Sequence, residues 1–206
     1  MSAKTPGSAA GRAAGPGVVV VHDWYGPLPH IADLADELSM AGFDVEVVDL
    51  YDGATTHDPA RAEVLAEALD GPGARESIVA AAERLYAGGA RQVGAIGFSL
   101  GGSLVLQVAA GGALDAVVAY YATGDPAARI ACPVQLHLAD HDEFEPAGDA
   151  AAFAAALVAG GTAVDTFTYP GTEHSFANTD VDLADPQAAE VALARTIGFL
   201  HARLAG

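Results

Sequence analysis

Short apolar runs rich in β-branched residues alternate along the chain with longer segments whose apolar residues recur at helical spacing. Residues 18–21 are four consecutive valines, and such continuous runs are typical of strands covered on both faces of a parallel sheet. The next segment places Ile31, Leu34 and Leu38 on one helical face and ends at Gly42. Because this alternation continues to the C-terminus, we predict an α/β protein with a mostly parallel sheet and helices on both faces.

Six or more strands are expected, each followed by a helix or a glycine-rich turn. The predicted strands cover residues 18–21, 45–50, 93–97, 116–121, 134–139 and 164–169. Asp58 and Pro59 open a predicted helix as N-cap and first-turn residue, and a last helix is predicted over 186–204. Residues 1–16, rich in Ala, Gly, Ser and Pro, are predicted to be a flexible leader, and residues 17–206 a single domain.

The charge balance limits the partners of this protein. The 206 residues include 27 acidic and 9 basic ones, which gives a net charge of −18. Nucleic acids and anionic membranes both require a basic surface, so neither is an expected partner. The single cysteine, Cys132, and the absence of an apolar targeting segment predict a cytoplasmic protein, either a monomer or a homodimer.

The sequence Gly97-Phe98-Ser99-Leu100-Gly101 stands between a predicted strand and a predicted helix and matches the G-x-S-x-G nucleophile elbow. In such a turn the serine has a strained backbone, and the flanking glycines let strand and helix approach closely. The turn presents the hydroxyl above the sheet edge and directs the following amide towards a developing oxyanion. We therefore predict Ser99 as a nucleophile; the simpler alternative is that it only caps the helix.

Polar residues also follow other predicted strands, at the sheet edge where parallel sheets bind ligands. Residues 23–25, an aspartate and two aromatics, follow the first strand; an acidic run from Asp140 follows the fifth; His174 follows the sixth. Serine, acid and histidine thus occur in the chain order expected of an α/β-hydrolase. His174 is predicted to accept the Ser99 proton and return it, because imidazole titrates near neutral pH.

Two aspartates compete for the role of orienting His174. Asp140 comes directly after the predicted fifth strand and Asp142 two residues later, and spacing alone does not separate them. His137, inside that strand, is expected to be a core residue with one hydrogen-bonded nitrogen. A metal site formed by His137 with Asp140 and His141 is not favoured, because these residues alternate across a strand and its loop. Neither a metal nor another cofactor is predicted.

Five segments together resemble the dienelactone hydrolases, from about residue 17 to the C-terminus. They are His22-Asp23-Trp24-Tyr25-Gly26, Val48-Asp49-Leu50-Tyr51, residues 97–102, Asp142-Glu143-Phe144-Glu145-Pro146 and His174-Ser175-Phe176-Ala177. The resemblance implies a compact α/β-hydrolase fold without a lid domain. It also implies Asp142, which precedes the x-Phe-x-Pro element, as the acid, and the backbone amides of Leu100 and Trp24 as oxyanion donors.

The chain departs from that family at three positions. The best-known members have a cysteine nucleophile where this chain has Ser99, and a serine needs a base because its pKa is far above that of a thiol. Asp23 stands in place of a glutamate, and Asn178 in place of an arginine that binds a substrate carboxylate. Asn178, together with the acidic surface, argues against an anionic dienelactone as the substrate.

The sequence therefore predicts a serine hydrolase that cleaves a small ester, lactone or thioester through an acyl-enzyme. The expected triad is Ser99, His174 and Asp142. The residues expected to contact the substrate are Asp23, Tyr25, Phe144 and Asn178. The alternative is a non-catalytic relative that binds a small ligand or a partner protein in the same cleft.

Overall fold

The computed structural model describes residues 14–204, whose strands form one six-stranded parallel sheet. The strands are β1 (Gly17–Val21), β2 (Asp44–Val48), β3 (Val93–Phe98), β4 (Ala116–Tyr120), β5 (Val134–His141) and β6 (Val164–Glu173). The helices are α1 (Pro29–Met40), α2 (Pro59–Glu67), α3 (Gly71–Ala87), α4 (Leu100–Ala110), α5 (Ala147–Ala159) and α6 (Pro186–Leu204). The predicted α/β class with a mostly parallel sheet is confirmed.

The central strands are buried on both faces, as their continuous apolar runs predicted. Every residue of β1, β3 and β4 is buried, whereas only Val48 is buried in the edge strand β2. Side chains of α3, α4 and α5 pack on one face of the sheet, and those of α1 and α6 pack on the other. Burial of apolar surface on both faces is the main source of stability in such a sheet.

The strand order β2-β1-β3-β4-β5-β6 brings the candidate catalytic segments together. Val21 pairs with Val48 and Gly97, and Phe98 pairs with Tyr120, so these strands end at one edge of the sheet. After β1 the chain adds β2 on one side of that strand and then β3 on the other. This reversal is a topological switch point, where ligands bind in open parallel sheets. The loops after β1 and β3 therefore begin side by side.

The strands β5 and β6 extend beyond their predicted ends, to His141 and Glu173, and these two residues pair after an irregularity in the register. Gly171 donates its backbone N–H to Asp140 Oδ2 at 3.0 Å, which joins the two extensions. Asp140 and His141 thus lie in a strand and not in the loop where they were expected. This additional pairing lies at the C-terminal ends of both strands, and the local pattern of apolar residues does not predict it.

The remaining boundaries are the start of α3 and the segment that precedes β1. Residues 71–73, Gly-Pro-Gly, form the first turn of α3, where proline is well accommodated. Of the predicted leader, residues 1–13 lie outside the described part of the chain. Gly15 donates to Asp44 Oδ2 at 2.8 Å, and the Pro16 carbonyl accepts from the Asp44 amide at 3.0 Å. Within residues 14–204, no helix combines the length and apolar character needed to cross a membrane.

Candidate active site

Ser99 occupies the turn between β3 and α4 with a strained backbone, at φ 48° and ψ −114°. Its backbone N–H donates to the Tyr120 carbonyl at 3.0 Å, which anchors the turn to β4. Ser99 stands at the N-cap position of α4, yet its side chain makes no capping hydrogen bond. The hydroxyl lies instead 2.8 Å from His174 Nε2. This geometry favours the nucleophile elbow over the helix-cap alternative.

Glycine is required on both sides of this turn because backbone segments approach each other closely. A β-carbon on Gly97 would lie 2.3 Å from the Gly101 carbonyl oxygen. A β-carbon on Gly101 would lie 2.3 Å from the carbonyl oxygen of His22, at the end of β1. Both obstacles are backbone atoms, which cannot rotate away as a side chain can. The start of α4 is therefore set directly against the loop that carries Trp24.

His174 connects Ser99 to a carboxylate. Its Nδ1 lies 2.8 Å from Asp142 Oδ1 and 2.9 Å from Asp142 Oδ2. An ionised carboxylate only accepts hydrogen bonds, so Nδ1 carries the proton and Nε2 is left to accept from the Ser99 hydroxyl. The side chains of His174 and Asp142 are only 9% and 3% exposed, which shields this pair from water.

Asp142 is held by its own loop. Its Oδ1 accepts backbone N–H groups from Phe144 and Glu145, both at 3.0 Å. Burial alone raises the pKa of Asp142, but the hydrogen bond and charge of His174, with these two amides, lower the pKa below its usual value. Glu145 in turn accepts from the Thr123 backbone N–H at 3.1 Å and from its hydroxyl at 2.5 Å. Sequence reasoning missed this brace, because its partners are 22 residues apart.

The proposed oxyanion donors are free of protein acceptors. In the described part of the chain, the backbone N–H groups of Leu100 and Trp24 donate to no protein atom. Leu100 is the first residue of α4, so its N–H is one of the unpaired donors at the positive end of a helix dipole. The Trp24 loop is shaped by Asp23 Oδ1, which accepts the Tyr25 N–H at 2.9 Å.

Asp23 and Asn178, expected to contact the substrate, are completely buried and bind each other. Asn178 Nδ2 donates to Asp23 Oδ2 at 2.8 Å, and Asn178 Oδ1 accepts the Asp180 N–H at 3.1 Å. Burial raises the pKa of Asp23, and its hydrogen bonds offset part of that rise. Because the amide and the carboxylate are engaged with protein groups, their geometry favours a role in positioning loops over contact with substrate.

The aromatic residues near the site differ in burial: Phe144 is exposed, Trp24 is partly buried and Tyr25 is buried. Phe144 is 61% exposed, and its ring lies 4.8 Å from that of His174 and 5.8 Å from that of Trp24, centroid to centroid. Tyr25 is buried against Leu28 and stands 5.4 Å from Trp24. Phe144 and Trp24 thus border the open side of the site, while Tyr25 lies behind them.

Two other histidines, His22 and His137, are buried and have structural partners. His22 Nδ1 donates to the Asp23 carbonyl at 2.6 Å and Nε2 accepts the Leu50 N–H at 2.9 Å, and burial lowers its pKa. His137 is a core residue as predicted, but both its nitrogens have partners, Tyr169 Oη at 2.6 Å and Gln135 Oε1 at 2.9 Å. Burial lowers the pKa of His137 to about 3. Across residues 14–204, no group of three or more His, Cys, Asp and Glu side chains is arranged to hold a metal.

Comparison with known proteins shows the family of this chain. The dienelactone hydrolase family matches residues 5–204. The protein usf of Aquifex pyrophilus is 30% identical over 202 residues, covering 90% of this chain and 87% of its own. The carboxymethylenebutenolidase of Pseudomonas sp. (strain P51) is 29% identical over 207 residues, covering 92% and 85%.

Solved structures show the same fold. A dienelactone hydrolase-like promiscuous phosphotriesterase from metagenomic libraries superposes with a TM-score of 0.81 at 21% identity, covering 95% of this chain and 89% of its own. The dienelactone hydrolase of Anabaena variabilis superposes with a TM-score of 0.69 at 20% identity, covering 93% and 88%. The chain is therefore a member of the dienelactone hydrolase family, a carboxylic ester hydrolase with the α/β-hydrolase fold.

Proposed function

We propose that this hydrolase uses Ser99 as its nucleophile and cleaves its substrate through an acyl-enzyme. The observation that carries the proposal is the continuous line from Ser99 Oγ through His174 to Asp142, with both contacts at 2.8 Å. His174 Nε2 accepts the Ser99 proton as the hydroxyl attacks the substrate carbonyl, and later returns that proton to the leaving group. The amides of Leu100 and Trp24 stabilise the oxyanion, and water then releases the acyl group.

A thiol nucleophile is not supported. Burial raises the pKa of the thiol of Cys132 to about 11, so this side chain is not an activated thiolate at neutral pH. The half-buried free cysteine also fits the reducing conditions of a cytoplasmic location, which we propose for this protein.

The proposed substrate is a small neutral ester, lactone or thioester. The position that would supply a carboxylate-binding arginine is Asn178, whose side chain bonds Asp23 and Asp180. Asp23 and Asp142 leave the surroundings of Ser99 acidic, which disfavours an anionic substrate. The exposed ring of Phe144 and the partly buried ring of Trp24 border the site and suit an apolar acyl or alcohol group.

Labelling with a fluorophosphonate, followed by peptide mass spectrometry, tests the nucleophile. We expect one adduct on Ser99, and none after a His174→Ala substitution, because the serine then lacks its base. The Ser99→Ala variant sets the background for turnover of p-nitrophenyl butyrate. An intact, folded protein that forms no adduct and turns over no ester would favour the non-catalytic alternative.

The substrate class is tested with matched esters that differ only in a terminal carboxylate. We expect kcat/KM to be at least about tenfold lower for the anionic ester, with a gap that narrows as salt screens the acidic surface. Equal values for the two esters, or a preference for the anion, would contradict the proposed neutral substrate while leaving the nucleophile unaffected.

A further inference from the structure

A groove of about 320 Å³ lies between α1 and α6, on the sheet face opposite α3, α4 and α5. Its floor is formed by Phe98 and Tyr120, whose rings stack at 4.6 Å, and its walls include Leu34 of α1 and Leu193 of α6. Its volume lies at the lower end of the range for small-molecule sites, about 300–1,000 Å³. Ser99 does not line this groove, so it is separate from the candidate active site.

Acidic side chains from both helices line the groove. They are Asp33 and Glu37 on α1 and Glu190 on α6, all solvent-exposed. The described residues that line the groove include neither lysine nor arginine. Arg195 of α6 lies instead over the Phe167 ring, 4.2 Å from its centroid. The groove thus combines an apolar floor with unneutralised negative charge along its walls.

A buried nitrogen at the groove supplies an independent indication of a ligand. His30 lines the groove, is only 6% exposed, and stands edge-on to Phe98 with ring centroids 6.0 Å apart. Its Nδ1 lies 3.0 Å from Asp180 Oδ2. Since that carboxylate accepts, Nδ1 carries a proton, and in the neutral form of the ring Nε2 presents a lone pair. Within the described residues, this buried Nε2 has no hydrogen-bond partner.

We propose that the groove is a second ligand site and binds a small amphipathic cation, a protonated amine with an apolar body. The apolar body lies on Phe98 between Leu34 and Leu193. The ammonium group lies at the His30 end, attracted by the three carboxylates, and one of its N–H groups donates to Nε2. An unpaired buried acceptor is costly, and an ammonium donor satisfies it where a neutral hydrocarbon or a carboxylate cannot. This role does not depend on the proposed hydrolysis.

Binding of phenethylammonium to the full chain tests the proposal, with 2-phenylethanol and 3-phenylpropionate as neutral and anionic controls. Titration calorimetry at fixed ionic strength gives the affinities, and we expect the ammonium ion to bind at least about tenfold more tightly than the alcohol. Long-range 1H–15N spectra of the histidine rings give a local readout. The Nε2 resonance of His30 is expected to shift on adding the ammonium ion, whereas exposed histidines such as His141 should not respond.

Two variants locate the site. Leu193→Trp fills the groove and is expected to weaken phenethylammonium binding more than tenfold. The double variant Glu37→Gln/Glu190→Gln removes two groove carboxylates and is expected to weaken binding by roughly tenfold. Its matched control, Glu63→Gln/Glu67→Gln, makes the same change of net charge on the exposed face of α2 and should leave the affinity within about twofold.

Three results would overturn the proposal. Equal affinity for the ammonium ion and the alcohol would show that charge is not recognised. Equal weakening by the groove pair and the α2 pair would show only general attraction to an acidic surface. Undetectable binding, or binding that Leu193→Trp leaves unchanged, would show that the groove is not the site. The surface double variants keep the test decisive if Leu193→Trp fails to fold.

Discussion

Replacing Asp142 by asparagine should disable His174 while leaving the fold of the loop intact. In the native loop, Oδ1 of Asp142 accepts the backbone N–H groups of Phe144 and Glu145, each at 3.0 Å. These two donors would hold the single oxygen of an asparagine in the same place. The amide nitrogen of the asparagine would then occupy the position of Oδ2, 2.9 Å from His174 Nδ1, which already carries a proton, while its oxygen would keep the 2.8 Å contact of Oδ1 with Nδ1 as a neutral acceptor.

The cost follows from this donor-to-donor contact. Either His174 keeps its proton on Nδ1 beside an unmatched donor, or the proton moves to Nε2 and the ring can no longer accept from Ser99. Exchanging the charged acceptor of Nδ1 for a neutral one costs about 1–1.5 kcal/mol, and the mismatched buried donor about 1–3 kcal/mol more. The sum, about 2–4.5 kcal/mol, corresponds to a loss of roughly 30-fold to 10³-fold in kcat/KM.

The matched control is Asp140→Asn, because spacing in the sequence does not separate these two acids. Asp140 accepts the Gly171 N–H at 3.0 Å, and an asparagine oxygen can do the same; its contact with Nε2 of the exposed His141 is longer, at 3.8 Å. Steady-state turnover of p-nitrophenyl butyrate and the rate of fluorophosphonate labelling should fall together in Asp142→Asn and change within about twofold in Asp140→Asn. Equal losses in the two variants, or more than a tenth of native activity in Asp142→Asn, would refute the reasoning.

Three further predictions concern the surrounding structure. Gly101→Ala should lower the free energy of unfolding by about 1–3 kcal/mol, because the added β-carbon meets the backbone at the end of β1. Gly148→Ala, whose β-carbon meets no atom, should not lower it, and urea denaturation compares the two variants. Burial lowers the pKa of His137 to about 3 in the folded protein, so just below pH 6.5 this ring binds a proton mainly in the unfolded chain. The free energy of unfolding should therefore fall by about 2 kcal/mol from pH 7 to pH 5. An identical pH dependence in a His137→Gln variant would contradict this. Asn178→Ala should cost about 1–3 kcal/mol because it removes a donor from the buried carboxylate of Asp23, and unchanged urea midpoints would argue against that bond.

The sequence predicts the parts of the site that have a local signature. The elbow around Ser99 is visible because five adjacent residues carry both the turn and the nucleophile. His174 is visible because it follows the last strand of a parallel sheet, where catalytic groups lie. Asp140 and Asp142 cannot be separated in this way. Their different environments depend on how far β5 and β6 remain paired, which is a contact between segments about 30 residues apart.

The remaining features depend on buried polar contacts between distant segments. Asp23 and Asn178 are 155 residues apart, and no local pattern distinguishes an asparagine that faces substrate from one that braces a loop. His30 lies in the first turn of α1, and its buried ring stands beside Phe98 with Nδ1 against Asp180, 150 residues away. Apolar periodicity identifies which face of an element is buried. It does not identify the polar partners within that buried region.

The braces around the site explain how it can be organised without a lid. The loop after β1 is held by Asp23 and Asn178, and the acid loop is held by Glu145 and Thr123. Each brace ties a loop that carries a proposed catalytic group to a different part of the sheet edge, so the donors and the base are in place before substrate arrives. Preorganised dipoles of this kind stabilise a developing oxyanion without reorganisation during the reaction. At position 178, where an arginine would attract an anionic substrate, this chain has an asparagine engaged in bracing the loop, and the proposed preference for neutral esters rests on that exchange.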